Sequence, residues 1–148
     1  MPSTPKSDPK RLTQGQAAVE ALLVIMLLVT VILGGIELSR GISVRQALDS
    51  SAAAATRALS LDPTQVGFAG SLVQGAVDQN VMGAGPTSSI QLYDATGNAR
   101  SASWLASSSF GTAFILEASA PFQADIPFLP TSAITIRVRH WGIMERYP

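Results

Sequence analysis

The stretch GQAAVEALLVIMLLVTVILGGI, running from Gly15 to Ile36, decides how this 148-residue chain is organised. Ala21 to Ile36 is an uncharged apolar run. With Ala17 to Val19 on its front edge it reaches about 20 residues, which at ~1.5 Å per residue spans the ~30 Å hydrocarbon core of a bilayer. The spacing predicts a membrane-inserting helix near the N-terminus. Glu20 interrupts its front edge, where an acidic side chain at mid-bilayer would cost about 2.5–3.5 kcal/mol. One turn inside the boundary, Glu20 can snorkel to the headgroups; the alternative is that its carboxylate has a partner there.

Working outward, residues 1–14 are rich in Pro, Ser, Thr and Lys, have little to bury, and are expected to be disordered. From Gly15 or Gln16 there is no proline until Pro63, so one helical rod of about 45 residues is predicted, ended by Asp62-Pro63. Gly34-Gly35 is its soft point, a helix hinge or a place of close helix approach, because each glycine costs about 1 kcal/mol relative to alanine in a helix. Past the apolar run, Val44, Ala47, Leu48, Ser51, Ala55, Ala58 and Leu59 form a narrow stripe at helical spacing. That stripe suits packing against the chain's own sheet or against other subunits.

A second helix is predicted from Pro63-Thr64, with Val66, Ala69, Leu72, Val73, Ala76, Val77 and Val81 on one face, stopping at Gly83-Ala84-Gly85-Pro86. Strands are predicted at 89–93, 112–120 and 133–141 from their alternation, with a turn at 94–98, a polar loop at 100–109 and a proline-punctuated link at 121–130. Strands following helices give an α+β fold: a long N-terminal transmembrane and stalk helix, then a small ectodomain with a second helix and a three-stranded, mainly antiparallel sheet.

Composition excludes several function classes. Ten Lys and Arg balance ten Asp and Glu at a pI near 6.6, so no basic surface points to nucleic acid as a partner. The chain has no cysteine, hence no disulfide framework, thiol nucleophile or Cys-based metal site. His140 is the sole histidine, which rules out a two-histidine metal site or relay. Asp94, Glu117, Asp125 and Glu145 show no acid–base spacing, Gly83-x-Gly85 is no phosphate fingerprint, and Ser107 to Ser109 lack a nucleophile elbow. Asp94 with Asn98 reads as a capped turn rather than a calcium loop. No catalytic residue, metal site or cofactor is expected, and the chain is not read as an enzyme. Trp104 and Trp141 suit either a protein contact or core and membrane-proximal anchoring. Lys6, Lys10 and Arg11 flank one end of the span and Arg40 and Arg45 the other; a short leader retained inside favours N-inside, C-outside. The apolar run exceeds a secretory h-region and no A-x-A-like site follows it.

The sequence Thr13-Gln14-Gly15-Gln16-Ala17-Ala18-Val19-Glu20, the apolar run, Gly34 to Arg40, and Val44-Arg45-Gln46-Ala47-Leu48 leading into Ala52 to Ala55 together resemble the TadE-like family of minor pilins or pseudopilins of the Tad/Flp type IV pilus system. Ile134 to Arg139 also looks like that family's closing strand. Gln16 stands where many type IV pilins carry Phe, and Ala21 where major Flp pilins carry Tyr, which points away from a major pilin. The resemblance implies cleavage by a prepilin peptidase between Gly15 and Gln16, with Glu20 as fifth residue of the mature chain serving assembly. A partner's new α-amine meeting Glu20 in a low-dielectric helix bundle would fix the register of neighbours, since an unpaired buried charge is heavily penalised. The implied organisation is a cytoplasmic leader (1–15), a transmembrane and assembly helix (16–36), its extracytoplasmic continuation (37–62) and a small ectodomain (63–148). The implied partners are the prepilin peptidase, other pilin subunits, the inner-membrane assembly platform and the lipid bilayer. The implied place is the bacterial inner membrane, then the cell surface within a pilus. The competing reading is an unprocessed single-span protein with a partner-binding extracytoplasmic domain.

Overall fold

A computed structural model describes residues 9–80, 86–127, 130–131 and 133–145. The elements are α1 (Pro9–Leu61), α2 (Val66–Asn80), β1 (Ser89–Asp94), β2 (Ala99–Arg100), α3 (Ala102–Ala106), β3 (Ala113–Gln123) and β4 (Ala133–Ile143). The expected α+β architecture is present, with a long apolar N-terminal helix, a second helix and an antiparallel sheet.

α1 runs for 53 residues, roughly 80 Å, without interruption at Gly34-Gly35. It starts at Pro9, six residues before Gly15. Residues 9–14 are thus helical where disorder is expected, and Met1 to Asp8 lie outside the described residues. Proline is admitted in a first turn because no N–H is needed there, and extending an existing helix costs far less than nucleating one. The C-terminal end falls where Asp62-Pro63 places it. The Asp62 carboxylate accepts from the Thr64 N–H (3.0 Å) and hydroxyl (2.6 Å) and from the Gln65 amide (2.8 Å), turning the chain into α2.

The sheet order is β2-β1-β3-β4, all neighbours antiparallel. Four strands replace the expected three, because the polar stretch after the 94–98 turn holds β2 and α3 rather than a loop. The turn makes β2 possible: Gly97 has φ +88°, and Asp94 gathers the backbone so that Tyr93 pairs with Ala99. α3 is started by Ser101, whose hydroxyl accepts from the Trp104 N–H. Both long strands exceed their predicted ends. β3 continues through Pro121 because β1 ends at Ser89 opposite Ser119, leaving β4 as its only neighbour there; a missing N–H is tolerated on an open side.

The core lies between α1, α2 and the inner face of the sheet. Val44, Leu48, Ala52, Ala55 and Leu59 of α1 meet Ala69, Val73 and Val77 of α2 and Leu92, Phe114, Leu116, Ala118 and Val138 of the sheet in one buried cluster. The small-residue stripe is therefore ordinary core packing. At about 1.5–3 kcal/mol for each large apolar side chain, this burial is what fixes the upper part of α1. Val81 and Gly83 to Gly85 lie outside the described residues.

Candidate assembly site on the apolar helix

Burial divides α1 in two. From Gly15 to Ile32 nearly every residue is exposed, and Leu22, Leu23, Val24, Ile25, Leu27 and Leu28 are all more than half exposed. The first buried residue is Glu37, 9% exposed, paired with Arg40 at 2.8 Å. From Gly15 to Val29 the helix carries the apolar surface of a membrane span with every residue exposed; Thr30, Leu33 and Gly34 are half-buried, and from Glu37 upward the helix belongs to the α+β body. One helix in the described residues is long and apolar enough to cross a membrane, and its most apolar window is entirely unburied.

Gly15, Gln16 and Glu20 all sit on the exposed, free-standing part of α1. A Cβ at Gly15 would meet nothing within 4 Å. From Gln16 to Glu20 is one helical turn, a rise of about 6 Å. Gly34 and Gly35 sit at the junction. A Cβ at Gly34 would lie 3.9 Å from Ile126 Cδ1, while one at Gly35 would touch nothing within 4 Å. The link between β3 and β4 therefore reaches down to the last turn of the apolar run, a contact that no local pattern in the sequence signals.

Four contacts brace α1 against β4 and the end of β3. Phe122 packs on Gly41, where a Cβ would lie 3.4 Å from the ring. His140 Nε2 lies 3.0 Å from Asp49 Oδ1. Gly142 passes so close to α1 that a Cβ would come within 2.7 Å of Thr56 Cγ2, and the Glu145 N–H donates to the Ser60 carbonyl at 2.9 Å. β4 thus runs alongside α1, away from the apolar end. Sequence reasoning missed this bracing; Gly142 lies one residue past the predicted strand 133–141, and only in the longer observed β4 does it become a strand glycine of the kind that marks close backbone approach.

On the outer face of the sheet, Glu117 is 7% exposed and accepts from Arg139 Nε at 2.6 Å. That hydrogen bond, and the carboxylate's charge, raise the Arg139 pKa and hold the guanidinium 5.3 Å from the Tyr93 ring centroid. Trp141 is 65% exposed, whereas Trp104 is half-buried beneath Arg100, 5.6 Å from the guanidinium. At the far end, Asp94 Oδ1 accepts from the Thr96 hydroxyl (2.6 Å), the Asn98 N–H (2.9 Å) and the Thr96 N–H (3.0 Å). Its Oδ2 meets Arg100 at 2.7 Å. These bonds, the Thr96 hydroxyl's first among them, hold the Asp94 carboxyl well below the usual carboxylate range. Thr96 and Asn98 bond it from within the turn, the local capping expected of Asp94 and Asn98, and Arg100 adds an ion pair from β2. Among the described residues no group of three or more His, Asp or Glu is placed to hold a metal ion.

Residues 15–57 match the family model described as TadE-like protein. The match covers the exposed apolar segment and most of the braced segment of α1. No curated protein and no solved structure matched this chain. Over that segment, under a third of the 148-residue chain, the sequence is similar to the TadE-like family, and the one apolar N-terminal helix fits a single-pass membrane protein.

Proposed function

We propose that this chain is a minor pilin or pseudopilin of a Tad/Flp-type pilus, cut by a prepilin peptidase between Gly15 and Gln16 and taking part in pilus assembly or adhesion through noncovalent helix packing. The observation that carries the reading is the division of α1: a family-matched helix whose lower half is apolar and unpartnered and whose upper half is bound into an α+β body. A bare apolar helix of this length requires either lipid or other helices around it. Storage in the inner membrane, N-terminus inside, and transfer into a helical bundle satisfy both in turn. The domain limits follow: leader 1–15, assembly helix 16–36, continuation 37–62 and ectodomain 63–148.

Glu20 supplies register. On a helix with no protein contact around it, its carboxylate is free to meet the α-amine of a neighbouring mature chain, and the pair is favourable only when both charges align. Gly34 and Gly35 act as the hinge between membrane helix and body. The partners are the peptidase, other pilin subunits, the assembly platform and the bilayer. The role is structural, as is typical of TadE-like pilus-associated proteins.

N-terminal mass spectrometry of the protein from native membranes and sheared surface fractions, with and without the cell's prepilin peptidase, tests the proposal. A peptidase-dependent chain beginning at Gln16 is expected. An intact leader in mature membranes would overturn it in favour of a permanently anchored protein with a partner-binding domain.

A further inference from the structure

Where the apolar run ends, α1 and β4 enclose a groove of about 490 Å³. Its wall is apolar: Leu38 and Ile42 from α1, Ile134 and Ile136 from β4, with the Phe122 ring lying against Gly41. Leu38, Ile42 and Ile134 are 67%, 49% and 57% exposed, although they border a packed core. At the groove's other end stand Arg45 and Arg137. Among the described residues these two guanidiniums have no ion-pair partner, whereas their neighbours Arg40 and Arg139 are matched by Glu37 and Glu117. Asp49, the nearest carboxylate up the cleft, faces His140.

The polarity of the groove follows the axis of α1. Leu38 to Arg45 stand roughly 3 to 13 Å beyond Ile36, so the apolar end begins in the headgroup layer, about 5–7 Å thick, and the arginines sit at or just above it. β4 runs the same way, putting Ile134 low and Arg137 high. Arginine side chains reach back toward a membrane surface, and a forked guanidinium matches phosphate oxygens. An apolar slot continuous with the span and capped by two unmatched cations complements one ligand type: an amphiphile with acyl carbon below and negative charge above.

We propose that this groove seats an anionic phospholipid of the leaflet at the C-terminal end of the span, its phosphate between Arg45 and Arg137 and its glycerol and upper acyl carbons along Leu38, Ile42 and Ile134. The lipid would fix the height and rotation of the body over the membrane, which the hinge proposed at Gly34-Gly35 would otherwise leave free. The inference rests on α1 crossing a bilayer, and does not require cleavage or pilus assembly.

The full-length chain is reconstituted in vesicles of equal phosphatidylglycerol and phosphatidylcholine, and the lipid retained on the protein after mild detergent release is counted by native mass spectrometry. Wild type is expected to retain phosphatidylglycerol in preference to phosphatidylcholine. At about fivefold per arginine, R45Q/R137Q should lower that preference about 25-fold. Arg57→Gln, a cation higher on α1, should leave it unchanged. Equal preference in wild type and the double variant, or an equal loss in Arg57→Gln, would overturn the proposal. Because the chain has no cysteine, Ile42→Cys carries a single fluorophore, which nitroxide lipid should quench independently of protein density. Shielding that instead grows with protein density would mean that a second copy fills the groove, and would refute it. A chain that fails to enter either vesicle overturns the membrane reading itself, an outcome distinct from insertion without lipid preference.

Discussion

Gly142→Ala is a demanding test of how α1 is held. The residue lies in β4 opposite Phe114 and its φ is negative, so alanine meets no backbone strain; the whole effect is steric. A Cβ there would fall 2.5 Å from Phe114 Cζ, 2.7 Å from Phe114 Cε1 and 2.7 Å from Thr56 Cγ2. Phe114 is fully buried and Thr56 nearly so, the latter tied to the Ala52 carbonyl at 2.7 Å, so neither yields freely. Overpacking of this kind costs about 1–3 kcal/mol, and the reduced freedom of alanine in the unfolded chain returns about 0.4–1 kcal/mol. The net runs up to about 2.6 kcal/mol of destabilisation with a centre of about 1.3 kcal/mol, which for a body of about 100 residues lowers Tm by about 5–10 °C at the centre. Thermal unfolding of the full chain in detergent, followed by tryptophan emission, reads it, since Trp141 is adjacent. Thr56→Ser keeps the hydroxyl and deletes Cγ2, so T56S/G142A should recover part of the loss, with a coupling of about 0.5 kcal/mol or more. A Tm for Gly142→Ala equal to or above wild type would refute the close approach of β4 to α1.

Two further outcomes are expected. Glu20→Ala should preserve membrane insertion, measured by carbonate extraction, and impair pilus assembly; normal piliation would sink the register role. Asp94 has a folded-state pKa below its ordinary value of 3.8, so its contribution is present above about pH 4 and is lost as pH falls through the folded pKa. Asp94→Asn should therefore be less stable than wild type at pH 7, with the gap narrowing below pH 4 in parallel thermal melts; a constant gap would contradict the sign.

Much of this organisation was legible along the chain because it depends on near neighbours. The apolar run from Ala21, the stop at Asp62-Pro63, the stripe from Val44 to Leu59 and the alternation of Ile136, Val138 and His140 are one-dimensional signals: one period, one side-chain type, one proline. Asp94 to Asn98 was likewise readable, as the bonds that close the turn stay within five residues, with Arg100 two positions beyond it. The boundaries were less so. The start of α1 at Pro9, the extension of β3 through Pro121, and β2 with α3 in the polar stretch depend on what flanks each segment in space.

One membrane-length apolar helix, its continuation past the apolar run into an amphipathic stretch and the small α+β body that follows can all be read along the chain, because hydrophobic length and period are properties of consecutive residues. It took the three-dimensional packing to place β4 at the sheet edge beside α1, Gly142 against Thr56 and Phe114, Asp49 against His140, and Arg45 and Arg137 at the border of one apolar groove. Apart from Gly142 with Phe114, these bring together residues about 90 positions apart. Their partners are chosen by the sheet order β2-β1-β3-β4 and by the side on which it packs against α1, and no local run of residues encodes either choice.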